Sequence, residues 1–446
     1  MKKTISIILA LCMIFALVAC NADGTVNEAK VAEVAQQVET AVAQSSSAAA
    51  PEAAAAPEAV AEPAAEPAIE GVGSKVVTGD PKYDDMTMDE LYELAKAEGG
   101  VISVYSDTSK ISKIADAFKE AYPDLEIEAT NLKAKEIISK VPTEVDTGNI
   151  VADVLTLNDA SGIQYNEFYE NGYVEAYFPT VITSHMNKDF LTKGLPIYAA
   201  TNPWFYNTAM YPDGCPINNW WDILDKNEDG TQKWSIFCKN IAGESSYMGL
   251  YSELASKSDE LAAAYKEKTG NDLEYTYDAS KVDGVPENNA AYEFLYRFSQ
   301  MDLTFIDDGD EILKSLNDCA TPALGLASAN KLDNREDNGY TVAWCVGLKP
   351  FTGLSNPQFT YVVPGTDNPA GARLLIQFMM GGENNDTKAV KVFERVGQWY
   401  LRDDNTKNVN EYTYDEMGLV MPDLEYIYDN YLYINDFWVY WYDQHH

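Results

Sequence analysis

Two short polar runs, Ser106-Asp107-Thr108 and Asn158-Asp159-Ala160, each stand directly behind a short apolar stretch. Hydroxyl, amide and carboxylate oxygens placed where a strand gives way to a helix can hold a polar or anionic ligand, helped by the free N–H groups of the helix start. Groups for breaking bonds are scarce. The chain has three histidines, His185, His445 and His446, the last two at its very end. Gly243-Glu244-Ser245-Ser246-Tyr247 lacks the closing glycine of a nucleophile elbow. No CxxC occurs, so neither a zinc nor a redox dithiol site has support. Asp225-Lys226-Asn227-Glu228-Asp229-Gly230 opens like a calcium loop, but Ile236 stands where the bidentate Glu belongs, and the run reads as a polar turn. Asp307-Asp308-Gly309-Asp310-Glu311 reads as a turn and helix start. The pattern predicts binding without catalysis, cofactor or resident metal.

The elements that must position these runs follow from periodicity. Thr87 and Glu90 make a capping box, Met88, Leu91, Leu94 and Ala95 share a face, and Gly99-Gly100 stops the helix. Val101 to Tyr105 is a strand; Ile111, Ile114, Ala115, Phe118 and Tyr122 form a helical stripe ended by Pro123. Leu125 to Ala129, a helix from Ala134 to Thr147 that includes Pro142, and a strand from Ala152 to Leu157 complete the alternation. Such alternation predicts a parallel sheet covered on both faces, with ligands beyond the carboxyl ends of its strands.

The chain opens with Lys2-Lys3, runs through apolar and small residues from Ile5 to Ala19, and reaches Leu17-Val18-Ala19-Cys20. This resembles the bacterial lipobox and implies a signal peptide over 1–20, with a lipid anchor on Cys20. Residues 21–74 are rich in Ala, Pro, Glu and Ser, with prolines at 51, 57, 63 and 67; they read as a disordered tether. The length of the tether favours a Gram-positive surface over a periplasm. Beyond it, 46% hydrophobic and 12% aromatic residues mark a globular part. A formal charge of −38 argues against nucleic acid as a partner. Besides Cys12 and Cys20 there are Cys215, Cys238, Cys319 and Cys345, enough for two disulfides in an exported protein. Of the three connectivities the sequential one, Cys215–Cys238 with Cys319–Cys345, is preferred; buried free thiols are the alternative.

A family resemblance now emerges. It rests on Leu91-Tyr92-Glu93-Leu94-Ala95-Lys96-Ala97-Glu98-Gly99-Gly100 before Val104-Tyr105-Ser106, and on Ala117-Phe118-Lys119-Glu120-Ala121-Tyr122-Pro123-Asp124-Leu125. Asn171-Gly172-Tyr173-Val174 and Asn368-Pro369-Ala370-Gly371-Ala372 continue it. From about 87 to about 382 the chain resembles the extracellular solute-binding proteins of ABC importers, in the cluster of ferric iron, polyamine, thiamine and phosphosugar binders. The resemblance implies an α/β, two-lobed type 2 periplasmic-binding-protein fold, each lobe a mostly parallel sheet flanked by helices, with two hinge crossings. Lobe one would hold 75–200 and 335–446, lobe two 201–334, and the tail would pack as helices on lobe one. Four stretches match positions lining the family's cleft: Ser106, Asp107 and Thr108; Asn158 and Asp159; Trp204, Tyr206 and Asn207; and Glu244, Ser245 and Ser246. Ferric-iron members use tandem tyrosines, whereas this chain reads Leu326-Ala327-Ser328-Ala329-Asn330 there. The aromatics with Asp107, Asp159 and Glu244 suit an amine; the helix starts with Lys349 or Arg297 suit a carboxylate or phosphate. The implied function is capture of a small solute or ion by hinge closure and delivery to a membrane permease, by a monomer. An iron importer subunit, a ligand-sensing surface lipoprotein and, last, a secreted hydrolase are the alternatives.

Overall fold

A computed structural model of the chain describes residues 77, 79–191, 194–405 and 409–446. The leader, Cys20 and the tether to residue 74 lie outside the described residues. Among those described, no helix is long and apolar enough to cross a membrane.

Helix α1 (Met88–Glu98) begins with the expected capping box: Glu90 N–H donates to Thr87 Oγ1 at 3.2 Å, and Thr87 N–H to Glu90 Oε2 at 2.9 Å. Strand β1 (Val101–Ser106) follows, then α2 (Ile111–Ala121), whose Ile111, Ile114 and Phe118 are wholly buried. Next come β2 (Glu126–Asn131), α3 (Ala134–Thr147) and β3 (Val154–Asn158). Pro142 sits inside α3 without ending it, and Gly148 closes that helix in the left-handed conformation. Each strand sits a residue or two later than periodicity placed it, because the polar residue behind the apolar run still pairs in the ladder.

Strand β4 (Leu195–Ala200) completes the first pass through lobe one, and β5 (Trp204–Asn207) opens lobe two. That lobe continues with β6 (Ser235–Cys238), α4 (Ser245–Ser256), α5 (Ser258–Thr269) and α6 (Ala290–Phe298). It then adds β7 (Leu303–Phe305), α7 (Gly309–Asp318), β8 (Ala323–Leu326) and β9 (Val342–Trp344). The chain returns through β10 (Gly353–Leu354) to β11 (Asn356–Val362), α8 (Pro369–Met379), α9 (Lys388–Phe393) and β12 (Gln398–Tyr400). The end consists of β13 (Leu419–Val420) and the long helix α10 (Leu424–His445).

Two mixed sheets result, ordered β12-β4-β11-β3-β1-β2 and β7-β6-β8-β5-β9. In the first, β1 pairs parallel with β2 and β3, while β11 and β12 run antiparallel to their neighbours. In the second, β6 pairs parallel with β7 and β8, and β5 runs antiparallel to β8 and β9. The return to lobe one therefore falls after Trp344 rather than at 335, because β9 is needed to cover the edge of β5.

The tail also departs from expectation. Ile427, Ile434, Phe437 and Trp438 of α10 are buried in the core of lobe two, against α4. Helix α4 is apolar on nearly every side, so it needs cover from both the sheet and a second helix. Only the first turns of α10 reach lobe one: Tyr428 Oη donates to Glu167 at 2.6 Å, and Asn166 Nδ2 to Leu424 O at 3.0 Å. The chain thus passes between the lobes a third time.

Candidate functional site

On the lobe-one side the polar turns are held by each other. Asp107 Oδ2 accepts from Asn158 N–H at 3.1 Å and Oδ1 from Gln358 Nε2 at 2.8 Å, tying together the ends of β1, β3 and β11. Burial raises its carboxyl above the ordinary value, opposed by these two bonds. Ser106 is buried, with Oγ accepting from Thr108 N–H at 3.2 Å, and Thr108 Oγ1 accepts from Lys110 N–H at 3.4 Å. Asn158 Nδ2 donates to Pro357 O at 3.3 Å. Asp159 is 2% exposed; its Oδ2 accepts from Tyr165 N–H at 3.0 Å, capping the turn at 162–169. Burial pushes the Asp159 carboxyl up to about 6. Lys110 donates to the Gln398 side chain and lies 5.5 Å from the Tyr198 ring centroid. Burial brings its ammonium down to about 8.

On the lobe-two side the strand ends enclose space. Lys239, directly after β6, meets Glu244 at 2.8 Å. Ser246 Oγ donates to Glu244 Oε1 at 2.9 Å and accepts from Asn202 Nδ2, on the first crossing, at 3.0 Å. Asp308 caps α7, accepting from Asp310 N–H at 2.8 Å and Glu311 N–H at 3.1 Å. Lys331 pairs with Asp310 at 2.5 Å. Between these groups lies a cavity of about 180 Å³ lined by Asn202, Lys239, Ser246, Tyr247, Asp307, Asp308, Gly309, Ala327, Ser328 and Lys331. It opens at the carboxyl ends of β6, β7 and β8, where the starts of α4 and α7 converge.

Residues 113–396 match the family model described as bacterial extracellular solute-binding protein. The chain belongs to that family. Solved structures agree on the fold. AttC of Agrobacterium tumefaciens C58, open and unliganded, superposes with a TM-score of 0.53 at 13% identity, covering 76% of this chain and 99% of AttC. Ferric iron-binding protein A of Mannheimia haemolytica, also open, gives 0.53 at 13%, covering 77% and 99%. AfuA of Actinobacillus pleuropneumoniae, with fructose-6-phosphate bound, gives 0.51 at 14%, covering 77% and 99%. No curated protein matches the chain by sequence. The fold of this solute-binding protein is therefore the two-lobed one of type 2 periplasmic binding proteins.

The solute-binding protein does not bring all the expected residues to its cleft. Ser246 lines the cavity, Glu244 stands behind it, and Ser245 is exposed in the first turn of α4. Ser106, Asp107, Thr108 and Asn158 lie at strand ends of lobe one. Trp204, however, is wholly buried, edge-on to Trp220 at 6.3 Å and to Phe298 at 6.3 Å. Asn207 is also misplaced: β5 runs antiparallel to β8, so its last residue falls at the sheet end away from the cavity. There Asn207 holds a turn, accepting from Ala209 N–H at 2.9 Å and donating to Asn317 O at 3.0 Å. Tyr206 is buried between the lobe-two cysteines and the sheet, and Asp159 is consumed as a cap. The sequential disulfides fail too: Cys215 sits against Cys345, Cys238 is buried on β6, and Cys319 contacts Thr321 Oγ1 at 3.4 Å.

Sequence reasoning missed Asn202, Lys239, Ser328 and Lys331. A signal existed for Ser328, since polar residues behind a strand mark the binding end of a sheet. The strand in question spans only Ala323–Leu326, too short for its pattern to stand out. Lys349 pairs with Glu267 and Arg297 with Glu293 at 2.6 Å, so neither serves the cleft. A larger cavity of about 680 Å³ lies at the opposite, amino end of the lobe-two strands, beside Asp302 and Gln232. Its cations are already paired: Lys268 with Asp225 at 2.8 Å, and Arg297 with Glu293 over the rings of Trp221 and Tyr265. Asp225, first in the calcium-like run, is taken by Lys268 and Lys233, and Asp229 closes the turn onto Thr231.

Proposed function

We propose that this protein closes its two lobes over a small polar solute seated in the 180 Å³ cavity and delivers it to an ABC permease, while lipid on Cys20 holds it, as a monomer, at the outer face of the membrane. The observation that carries the reading is the meeting of Asn202 from the crossing with Ser246 of α4 inside that cavity. A group that spans crossing and lobe feels closure directly, so a solute bound there favours one lobe arrangement. Against about 30 Å³ per liquid water, the cavity admits a solute of roughly six waters' volume.

Two features weigh against ferric iron held by phenolates. Ala327 and Ser328 line the cavity where the iron binders carry tyrosines, and the one cavity-lining phenol, Tyr247, donates its hydroxyl to Leu326 O at 2.6 Å. Both cavity lysines face carboxylates, which favours a neutral or zwitterionic solute over a strong anion. A thermal-shift panel on the chain from residue 75 tests the reading, with amino acids, sugars, sugar phosphates, polyamines, thiamine and ferric salts. A binder at a hundredfold over its dissociation constant adds about 2.7 kcal/mol. The reading stands if one compound raises the melting temperature and Ser246→Ala removes the shift; it falls if every shift survives that substitution.

A further inference from the structure

The four cysteines of the globular part are thiols in this structure, and two of them share an address the binding cleft does not use. Cys345 directly follows β9, is fully buried, and its N–H donates to Trp204 O at 2.7 Å. Cys215 is half-buried on the loop behind β5 and packs against the same core. Further along, the two segments run side by side. Asn219 and Lys349 form a parallel bridge, with Lys349 N–H donating to Asn218 O at 3.0 Å and Trp220 N–H to Lys349 O at 3.1 Å. Cys215 precedes Asn219 by the same number of residues as Cys345 precedes Lys349, so the parallel register sets the cysteines opposite each other. Their sulfurs are in hydrogen-bond contact, and both neighbour Tyr206.

We propose that Cys215 and Cys345 are joined by a disulfide in the exported protein. The proposal rests on the extracellular placement of the family for its oxidising surroundings. The other two cysteines offer no rival pairing. Cys238 is buried on β6, its thiol pushed up to about 12 by desolvation, and Cys319 lies at the end of α7 against Thr321.

The oxidant is a disulfide, carried by a small molecule or an oxidoreductase. Cys215 is the more exposed partner, and the hydrogen bond from Cys345 makes its thiol more acidic, so it attacks first. Its thiolate displaces one thiolate from the oxidant and forms a mixed disulfide. Cys345 then gives up its proton and attacks the Cys215 sulfur, expelling the second thiolate. Two protein thiols lose two electrons and two protons, and the oxidant's disulfide becomes two thiols. The bond would tie the loop behind β5 to the start of the second crossing. The lobe-two end of that crossing is then fixed, leaving bending to the residues beyond it.

Peptide mapping of the exported chain, alkylated before unfolding and kept non-reducing, reads the bond directly. The expected result is one cross-linked peptide holding Cys215 and Cys345, with Cys238 and Cys319 recovered as thiols. A parallel sample purified reduced and incubated with oxidised glutathione should give the same peptide, which separates a failure of export from a failure of geometry. A reductant should lower the melting temperature of the oxidised chain by roughly 5 °C, as expected for a bond closing a long loop. It should leave Cys215→Ala and Cys345→Ala unchanged. Recovery of both cysteines as thiols from the glutathione-treated chain, or either one linked to Cys238 or Cys319, overturns the proposal.

Discussion

The polar turns of lobe one and lobe two look alike in sequence and do opposite things in the fold. In lobe one, Asp107 and Asp159 spend their oxygens on neighbouring backbone and side chains, and the turns become a brace across β1, β3 and β11. In lobe two, Asp308 and Glu244 also cap helices, yet Ser246, Ser328 and Lys331 stand around empty space. The difference lies in what each sheet must hold. Lobe one threads an antiparallel return strand, β11, beside β3, so its strand ends need tying. The parallel strands of lobe two are short and end freely. A polar turn behind a strand is therefore a candidate for binding only when its acceptors are not already counted into the fold.

Truncating Trp204 breaks this contrast hardest if it is wrong. Trp204 fills the core of lobe two, so Trp204→Ala should cost about 3–5 kcal/mol in a urea titration. Solute affinity measured on the remaining folded protein should hold. Full stability with lost binding would return Trp204 to the cleft.

Asp159 comes next. Asp159→Ala leaves the N–H groups of the 162–169 turn unpaired and should cost about 2–3 kcal/mol. The sign of its pH dependence is opposite to that of an ordinary paired carboxylate. The folded state holds this proton more tightly than the unfolded chain, where the value is near 3.8. Stability contributed by the neutral form is therefore present at low pH and lost as pH rises through about 6. Urea midpoints of the wild type should fall across that window, and Asp159→Asn should flatten the fall. An equally steep fall in the variant would assign the effect elsewhere.

The cavity itself is worth less per residue. Lys331→Ala removes a cavity wall and frees Asp310, and should weaken the solute found in the panel about tenfold, or 1.4 kcal/mol. The urea midpoint should stay near wild type, because Lys331 is partly exposed. Unchanged affinity by calorimetry would move the solute out of this cavity.

How far the sequence carries follows from the same contrast. The run from α1 to β3 was legible because each element is long enough to show its period: Leu91 and Ala95, then Ile111, Ile114 and Phe118, all turn out buried. Lobe two hid its plan in strands such as Leu303–Phe305 and Val342–Trp344, which have too few residues to alternate visibly. The direction of β5 was equally hidden, and with it the fate of Asn207, since pairing sense is decided by partners far along the chain. Helix α10 carries aromatic residues on most of its faces, so its own pattern did not say which lobe would cover it. The cysteine neighbours were out of reach for the same reason: their contact follows from a parallel register between two loops, not from spacing.

Lys110 gives the smallest effect and the sharpest reading of the lobe-one face. Its ammonium donates to a neutral partner, the Gln398 amide, while Arg395 and Lys113 oppose its charge and Asp333 supports it. Burial brings the folded value down to about 8 from the ordinary 10.5, so the folded state binds this proton less tightly than the unfolded chain. The charged form therefore costs stability at neutral pH, and the cost is relieved as pH rises from about 8 to about 10.5. With part of the group open to solvent the amount is discounted to about 1 kcal/mol. Lys110→Met should raise the urea midpoint slightly at pH 7 and remove the rise above pH 8. Repeating the titration with solute bound decides whether lobe one takes part in binding. An anionic group brought to Lys110 would restore its proton and shift the rise to higher pH, whereas a solute confined to the lobe-two cavity leaves the curve where it was.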